Sequence, residues 1–153
     1  MNRIVHIQRA RSVPIDTKFL QRIVRALLED LLELNSFELG IQLVRAKAMA
    51  HVNETFLNHA GPTDVITFDH SELKTSLHGE LFVCYDVAQT QAKEFRTTWP
   101  SEIVRYAVHG VLHLQGFDDH RAADRRRMKR EEDRLVKALA QSFAFSKLTK
   151  GQA

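Results

Sequence analysis

Between Ser101 and Gln115 the chain combines two demands that few arrangements satisfy together. Ile103, Val104, Ala107, Val108, Val111, Leu112 and Leu114 recur at helical spacing and gather on one side when placed about 100° apart. His109 and His113 fall on the opposite side, with Glu102, Arg105 and Tyr106. Imidazoles four residues apart on a helix stand one turn apart on one face, where they can share a metal ion. Because they lie off the apolar stripe, they face either open solvent or a cleft. Gly116 then stops the helix at the C′ position, and Phe117-Asp118-Asp119-His120 follows. The chain can turn back there and offer a third oxygen or nitrogen ligand. Three protein ligands and an open fourth position make a catalytic zinc site, whereas a structural zinc is closed, usually by several cysteines. The single cysteine, Cys84, argues against the closed kind. The plain alternative is a polar helix face followed by a capping turn.

The rest of the chain supplies the frame. Asn2–Gln8 reads as a first strand, and Ile15–Leu34 as a long amphipathic helix carrying Phe19, Ile23, Ala26, Leu27, Leu31 and Leu34. Phe37–Val44 alternates and predicts a second strand, and Ala46–Leu57 a second helix. Thr63–Phe68 is rich in β-branched residues and predicts a buried strand, with another at His78–Val87. Helices are expected at Ala88–Phe95, Ser101–Gln115 and Ala122–Phe143. This βαβαββααα order predicts an α+β fold: a mixed four-stranded sheet with packed helices, the metal-binding helix in the C-terminal third. At 153 residues the chain is one domain long, assigned to 1–145, with 146–153 expected to fray. Cys84 is expected to pack in its strand, Trp99 at the start of the histidine helix, and Phe143 and Phe145 to close the core.

Nothing in the sequence approaches the roughly 20 apolar residues of a membrane span, and the N-terminus lacks an apolar signal region. With one cysteine, the expected compartment is the cytoplasm. The net charge of +3 is unevenly placed. Residues 121–153 carry ten Lys/Arg against four Asp/Glu, and the first 120 carry twelve against fifteen. Arg121, Arg125, Arg126, Arg127, Lys129, Arg130 and Arg134 cluster just after the histidine motif. They read either as a solvated helix paired with Asp124, Glu131, Glu132 and Asp133, or as a phosphate-binding ridge beside the site. A zinc peptidase would place its glutamate base directly after the first histidine, where this chain has Gly110.

The segment HGVLHLQGFDDH resembles the signature H-G-x-L-H-L-x-G-[YF]-D-H of the YbeY family of bacterial endoribonucleases. TDVITF at Thr63–Phe68, preceded by Pro62, and Gly79-Glu80 leading into LFVCYDVAQTQA resemble two further family patches in the same order. The resemblance implies a zinc-dependent, single-strand-specific endoribonuclease, one ion per chain. Its implied roles are maturation of the 3′ end of the small-subunit ribosomal RNA and ribosome quality control. Its implied partners are ribosomal RNA, the small ribosomal subunit and ribosome-assembly proteins, with no membrane. Two departures stand out. The family's third histidine lies six positions after the second, which here is Asp119, with His120 one further on. The metal set implied is therefore His109 and His113 with Asp119 in simple register, or with His120 after a one-residue insertion. Leu57 stands where the family commonly has an arginine; Arg105 is the candidate substitute, and Arg125, Arg126 and Arg130 are the candidate RNA contacts on the basic helix. No general base emerges. The rival reading is a non-catalytic ribosome-assembly factor with a structural metal; a peptide-cleaving zinc hydrolase is disfavoured by Gly110.

Overall fold

The computed structural model describes residues 2–72 and 76–150. Its elements are β1 (Arg3–Arg9), α1 (Thr17–Arg25), β2 (Phe37–Val44), α2 (Ala46–Leu57), β3 (Val65–Asp69), β4 (Leu77–Cys84), α3 (Tyr85–Phe95), α4 (Trp99–Leu114) and α5 (Ala122–Ser142), in the expected order. The sheet is mixed and four-stranded, ordered β1-β2-β4-β3, with β3 antiparallel to β4 and the other pairs parallel. The fold is α+β, as the alternation of elements implies.

Period-two burial decides which face is the core. Phe37, Leu39, Ile41 and Leu43 of β2 are fully buried, and the residues between them are partly exposed. Register sets them beside Leu77, Gly79, Leu81 and Val83 of β4. α1 and α4 close this face, joining Leu20, Ile23, Leu27 and Leu28 to Ile103, Val104, Val108 and Val111 in one cluster. A smaller cluster of Met49, Ile66 and Cys84 seals α2 against the other face. Cys84 is buried, as expected of a packed strand residue, and burial pushes its thiol pKa up. α4 rides close to the sheet. A Cβ on Gly110 would stand 2.6 Å from Leu81 Cδ2, and one on Gly79 would stand 2.5 Å from Leu114 Cδ2 of α4. The residue after the first histidine therefore faces the sheet, and a side chain there would have to displace Leu81.

Three expectations need correction. The strand expected over His78–Val87 ends at Cys84, and Tyr85, Asp86 and Val87 begin α3. The helix expected over Ile15–Leu34 begins at Thr17, capped by Asp16, whose Oδ1 accepts from Phe19 N–H at 3.1 Å. It ends in a wider π-helical turn over Ala26–Leu31, in which the adjacent Leu27 and Leu28 are both fully buried. The tail expected to fray from residue 146 is packed through residue 150. Phe145–Leu148 form a 3-10 turn, Leu148 is fully buried, Asp16 N–H donates to Leu148 O at 2.8 Å and Lys150 N–H to Pro14 O at 2.9 Å. Leu148 is an apolar anchor strong enough to order the polar residues around it. Residues 151–153 of that expectation lie outside the described residues. Phe143 packs edge-on against Phe19, and Trp99 against Tyr85, at 5.9 and 5.2 Å between ring centroids. No helix among the described residues is long and apolar enough to cross a membrane.

Asp86 ties the starts of α2 and α3 together. Its carboxylate accepts from Arg45 Nε at 3.0 Å and from Ala46 N–H at 2.6 Å. The Arg45 hydrogen bond holds the Asp86 carboxyl below its usual pKa. A carboxyl with a depressed folded pKa contributes stability that is present above its unfolded pKa of roughly 3.9 and is lost as pH falls through the folded value. Asp86→Asn is expected to lower the urea midpoint at neutral pH. The gap to the unsubstituted protein should close as pH falls below about 4; a pH-independent gap would contradict the pairing.

Candidate metal centre and cleft

α4 presents His109 and His113 side by side, with ring centroids 4.7 Å apart and Nε2 atoms 3.1 Å apart. Each ring is oriented through its other nitrogen. His109 Nδ1–H donates to Glu132 Oε1 at 2.8 Å, and His113 Nδ1–H donates to the carbonyl oxygen of Phe117 at 3.2 Å. A carboxylate and a carbonyl only accept, so these bonds fix the tautomers and turn both Nε2 lone pairs toward one point.

The Phe117 carbonyl comes back to His113 because of Gly116. With φ +97°, Gly116 takes a left-handed conformation that L side chains avoid. Its N–H donates to His113 O at 3.0 Å, and Phe117 N–H donates to Leu112 O at 3.0 Å, the two bonds of a Schellman end. The chain thereby reverses and sets Asp119 Oδ2 3.6 Å from His113 Nε2. His109, His113 and Asp119 form one group whose ligand atoms all lie within 4.8 Å of one another. Of the two candidates for the third position, Asp119 joins the histidine pair. The His120 side chain is 87% exposed, with its Nε2 3.5 Å from Asp118.

Glu132 is the residue that sequence reasoning missed. It is 6% exposed on α5 and is gripped by Arg105 Nη1 at 2.7 Å as well as by His109. Arg105 Nη1 also reaches Asp133 Oδ1 at 2.7 Å, and Lys129 Nζ lies 3.2 Å from the same oxygen. Burial works to raise the Glu132 pKa, but the bonds from His109 and Arg105 outweigh it and hold the carboxyl below its usual value. Burial likewise works to lower the His109 pKa, and the Glu132 bond outweighs it, leaving the imidazole above its usual value. A signal for Glu132 was in the sequence. Met128, Glu132, Leu135, Val136 and Leu139 are the buried positions of α5, so a carboxylate sits on the inward stripe of an otherwise charged helix. Arg105, the candidate substitute for the family arginine, serves as the clamp on that carboxylate.

The donor set fits a divalent metal. Two inward lone pairs 3.1 Å apart repel unless a positive centre, a proton or a cation, lies between them. Two nitrogens each about 2.0 Å from a tetrahedral ion stand roughly 3.3 Å apart, close to the spacing here. Imidazole and carboxylate donors without thiolate suit zinc and the neighbouring divalent ions alike.

His109 and Asp119 lie on the wall of a cleft of about 610 Å³ between α3, α4 and α5. Asp64 and Glu102 also line it, with Arg125 and Lys129 supplied by α5. Glu102 accepts from the Thr97 hydroxyl at 2.6 Å, and Tyr106 donates its hydroxyl to Gln91 Oε1. Of the two environments open to the histidine face, the structure selects the cleft. Arg125 also braces the ligand loop, its Nη1 donating to the carbonyl oxygens of Asp119 and His120 at 3.3 and 3.1 Å. Arg126 and Arg130 are exposed and do not line the cleft, and Leu57 is 43% exposed at the end of α2.

The sequence model of the family described as Endoribonuclease YbeY matches residues 6–140. A protein named Endoribonuclease YbeY from Chlorobium luteolum is 34% identical over 105 residues, spanning 69% of this chain and 76% of its own. One of the same name from a Sulfurihydrogenibium species is 32% identical over 151 residues, spanning 97% of this chain and 93% of its own. The solution structure of TM1509 from Thermotoga maritima superposes with a TM-score of 0.69, covering 91% of each chain at 24% identity, and so shares the fold.

Losing a hydrogen-bond partner of a metal-binding histidine costs roughly 10- to 100-fold in metal affinity. Glu132→Gln is expected to weaken zinc binding by about that factor in a competition titration against a chromophoric chelator. Glu131→Gln, whose parent carboxylate pairs with Arg134 at the surface, should leave it unchanged.

Proposed function

Since this chain belongs to the YbeY family of endoribonucleases, we propose that it is a zinc-dependent hydrolase of single-stranded RNA. Its substrate is the 3′ region of the small-subunit ribosomal RNA, met in the cytoplasm on the small ribosomal subunit and its assembly proteins, in maturation and in ribosome quality control. The observation that carries this reading is the His109–His113–Asp119 group, which sets His109 and Asp119 on the wall of a cleft edged by Arg125 and Lys129. His109, His113 and Asp119 would hold the ion. When bound, the metal supplies a Lewis acid for a phosphoryl oxygen and lowers the pKa of a coordinated water.

The remaining chemistry belongs to the chain's own groups. Glu132 and the Phe117 carbonyl hold the two imidazoles in their liganding tautomer, so little reorganisation is needed when substrate arrives. Replacing a third imidazole with the Asp119 carboxylate lowers the charge of the site by one unit. A water on an ion held there would therefore be less acidic than under three neutral ligands. Arg125, Arg126 and Arg130 form the basic side from which phosphates are gathered. Arg105 lines the cleft and, bonded to Glu132 and Asp133, acts through the histidine it helps to orient.

His113→Ala, which removes a zinc ligand, is expected to abolish cleavage of a short single-stranded RNA in the presence of zinc while leaving the thermal transition of the metal-free protein and RNA binding in place. Unsubstituted, zinc-loaded protein that binds the RNA and the small subunit yet never cleaves would instead support a non-catalytic assembly factor. Each phosphate contact to a single strand contributes roughly 0.7 to the slope of log affinity against log salt. Arg126→Gln combined with Arg130→Gln should therefore flatten that slope by about 1.4. An unchanged slope would return both arginines to the role of solvated surface charges.

A further inference from the structure

Two phenylalanines among the described residues are largely exposed, Phe56 at 66% and Phe95 at 61%. Phe56 packs edge-on against Phe68, with centroids 5.6 Å apart, and is thereby accounted for. Phe95 has no aromatic partner among the described residues, and it lines the cleft that holds His109 and Asp119. Its position is held by the end of α3. Arg96 takes the left-handed conformation at φ 56°, and Thr97 N–H donates to Ala92 O at 2.9 Å, so the helix stops directly after Phe95. An exposed phenylalanine alone is ordinary; one on the wall of a cleft shared with a candidate metal group and with Arg105, Arg125 and Lys129 is not.

The charges of the cleft say what Phe95 meets. Asp64, Glu102, Asp119 and Glu132 line the cleft and repel phosphate. Of its three cations, Arg105 is bonded to Glu132 and Asp133, while Arg125 and Lys129 are exposed and attract it, Lys129 from beside Asp133 at 3.2 Å. A strand entering such a cleft keeps its phosphates at the cations and turns a base inward. A cleft of about 610 Å³ lies within the roughly 300–1,000 Å³ of small-molecule sites and has room for one nucleotide. Tyr106 and Gln91, bonded to each other, add a fixed polar wall on the α3–α4 side.

We propose that Phe95 is a stacking platform for one base of the RNA strand, held in the cleft beside the metal group with its phosphate against Lys129 and Arg125. This deepens the nuclease reading above and rests on it for the identity of the polymer. An aromatic face accepts any base, so the platform confers little sequence preference. It does confer single-strand preference, because a base paired inside a duplex cannot turn out onto the ring without unstacking.

The test uses the full-length, zinc-loaded protein and a short single-stranded RNA carrying 2-aminopurine, whose fluorescence is quenched on stacking. Base–aromatic stacking is worth about 1–3 kcal/mol per base, a factor of roughly 5 to 150 in affinity. Phe95→Ala is expected to raise Kd and KM by a factor in that range, abolish the quench, and leave zinc content and the thermal transition unchanged. Phe95→Trp should retain affinity. Phe95→Leu, apolar but without a ring face, should behave like Phe95→Ala. Affinity retained in both Phe95→Ala and Phe95→Leu, in protein that still cleaves, overturns the platform and leaves the nuclease reading standing. Unsubstituted protein that quenches the probe but never cleaves overturns the nuclease reading and leaves the platform standing. Unsubstituted protein that neither binds nor cleaves the strand overturns both.

Discussion

The contact of Gly110 with Leu81 sets how closely α4 approaches the sheet, and the histidine face of that helix depends on it. With seven apolar residues turned toward the core, α4 is a largely buried helix that gathers its polar groups on one stripe. That stripe holds Glu102, Arg105, Tyr106, His109 and His113, and it can stay polar only because α3 and α5 stand apart enough to leave a cleft over most of it. A larger residue at position 110 would displace the fully buried Leu81 side chain on which the helix rests. The glycine between the histidines thus packs against the sheet, at the position where a zinc peptidase places its glutamate.

Charge is buried in this cleft, and the structure answers each case with a partner. Glu132 is nearly inaccessible, yet it receives hydrogen bonds from His109 and Arg105. An unpaired carboxylate at such a site costs several kcal/mol and would protonate instead. The pair also binds α4 to α5, so the orientation of His109 and the docking of the last helix are one interaction viewed from its two ends. His113 is secured differently, through a backbone carbonyl placed by a helix end. The two imidazoles therefore answer to different parts of the chain.

Much of this was legible in the sequence, and the gaps have physical causes. β2 and α2 occupy the expected Phe37–Val44 and Ala46–Leu57, because strict alternation and helical spacing leave little ambiguity in segments of that length. The histidine pair and its helix break were equally plain, since spacing and a glycine are local signals. The π-helical turn was not, because the burial of both Leu27 and Leu28 is decided by the sheet they meet. The tail was misread because Leu148 gains its order from α1 and from Pro14, more than a hundred residues away in sequence. The role of Arg105 was hidden for a related reason. A helix-surface arginine and a clamp on a buried carboxylate look alike until α5 is in place. Asp119 and His120 are adjacent, and only the course of the loop after Gly116 separates them.

The strand order bears on how the chain is made as well as on how it stands. β3 precedes β4 in the sequence, yet β4 is its only neighbour in the sheet. During synthesis from the N-terminus, Val65–Asp69 emerges with no strand to join, while β1 and β2 can already pair. Until Leu77–Cys84 follows, the nascent chain displays an apolar, β-prone segment with free edges, the kind of segment that seeds aggregation. Asp64 and Asp69 flank it with negative charge, as gatekeeper residues do. Asp64 thus stands at a segment that must be protected before the fold closes, and on the wall of the cleft once it has.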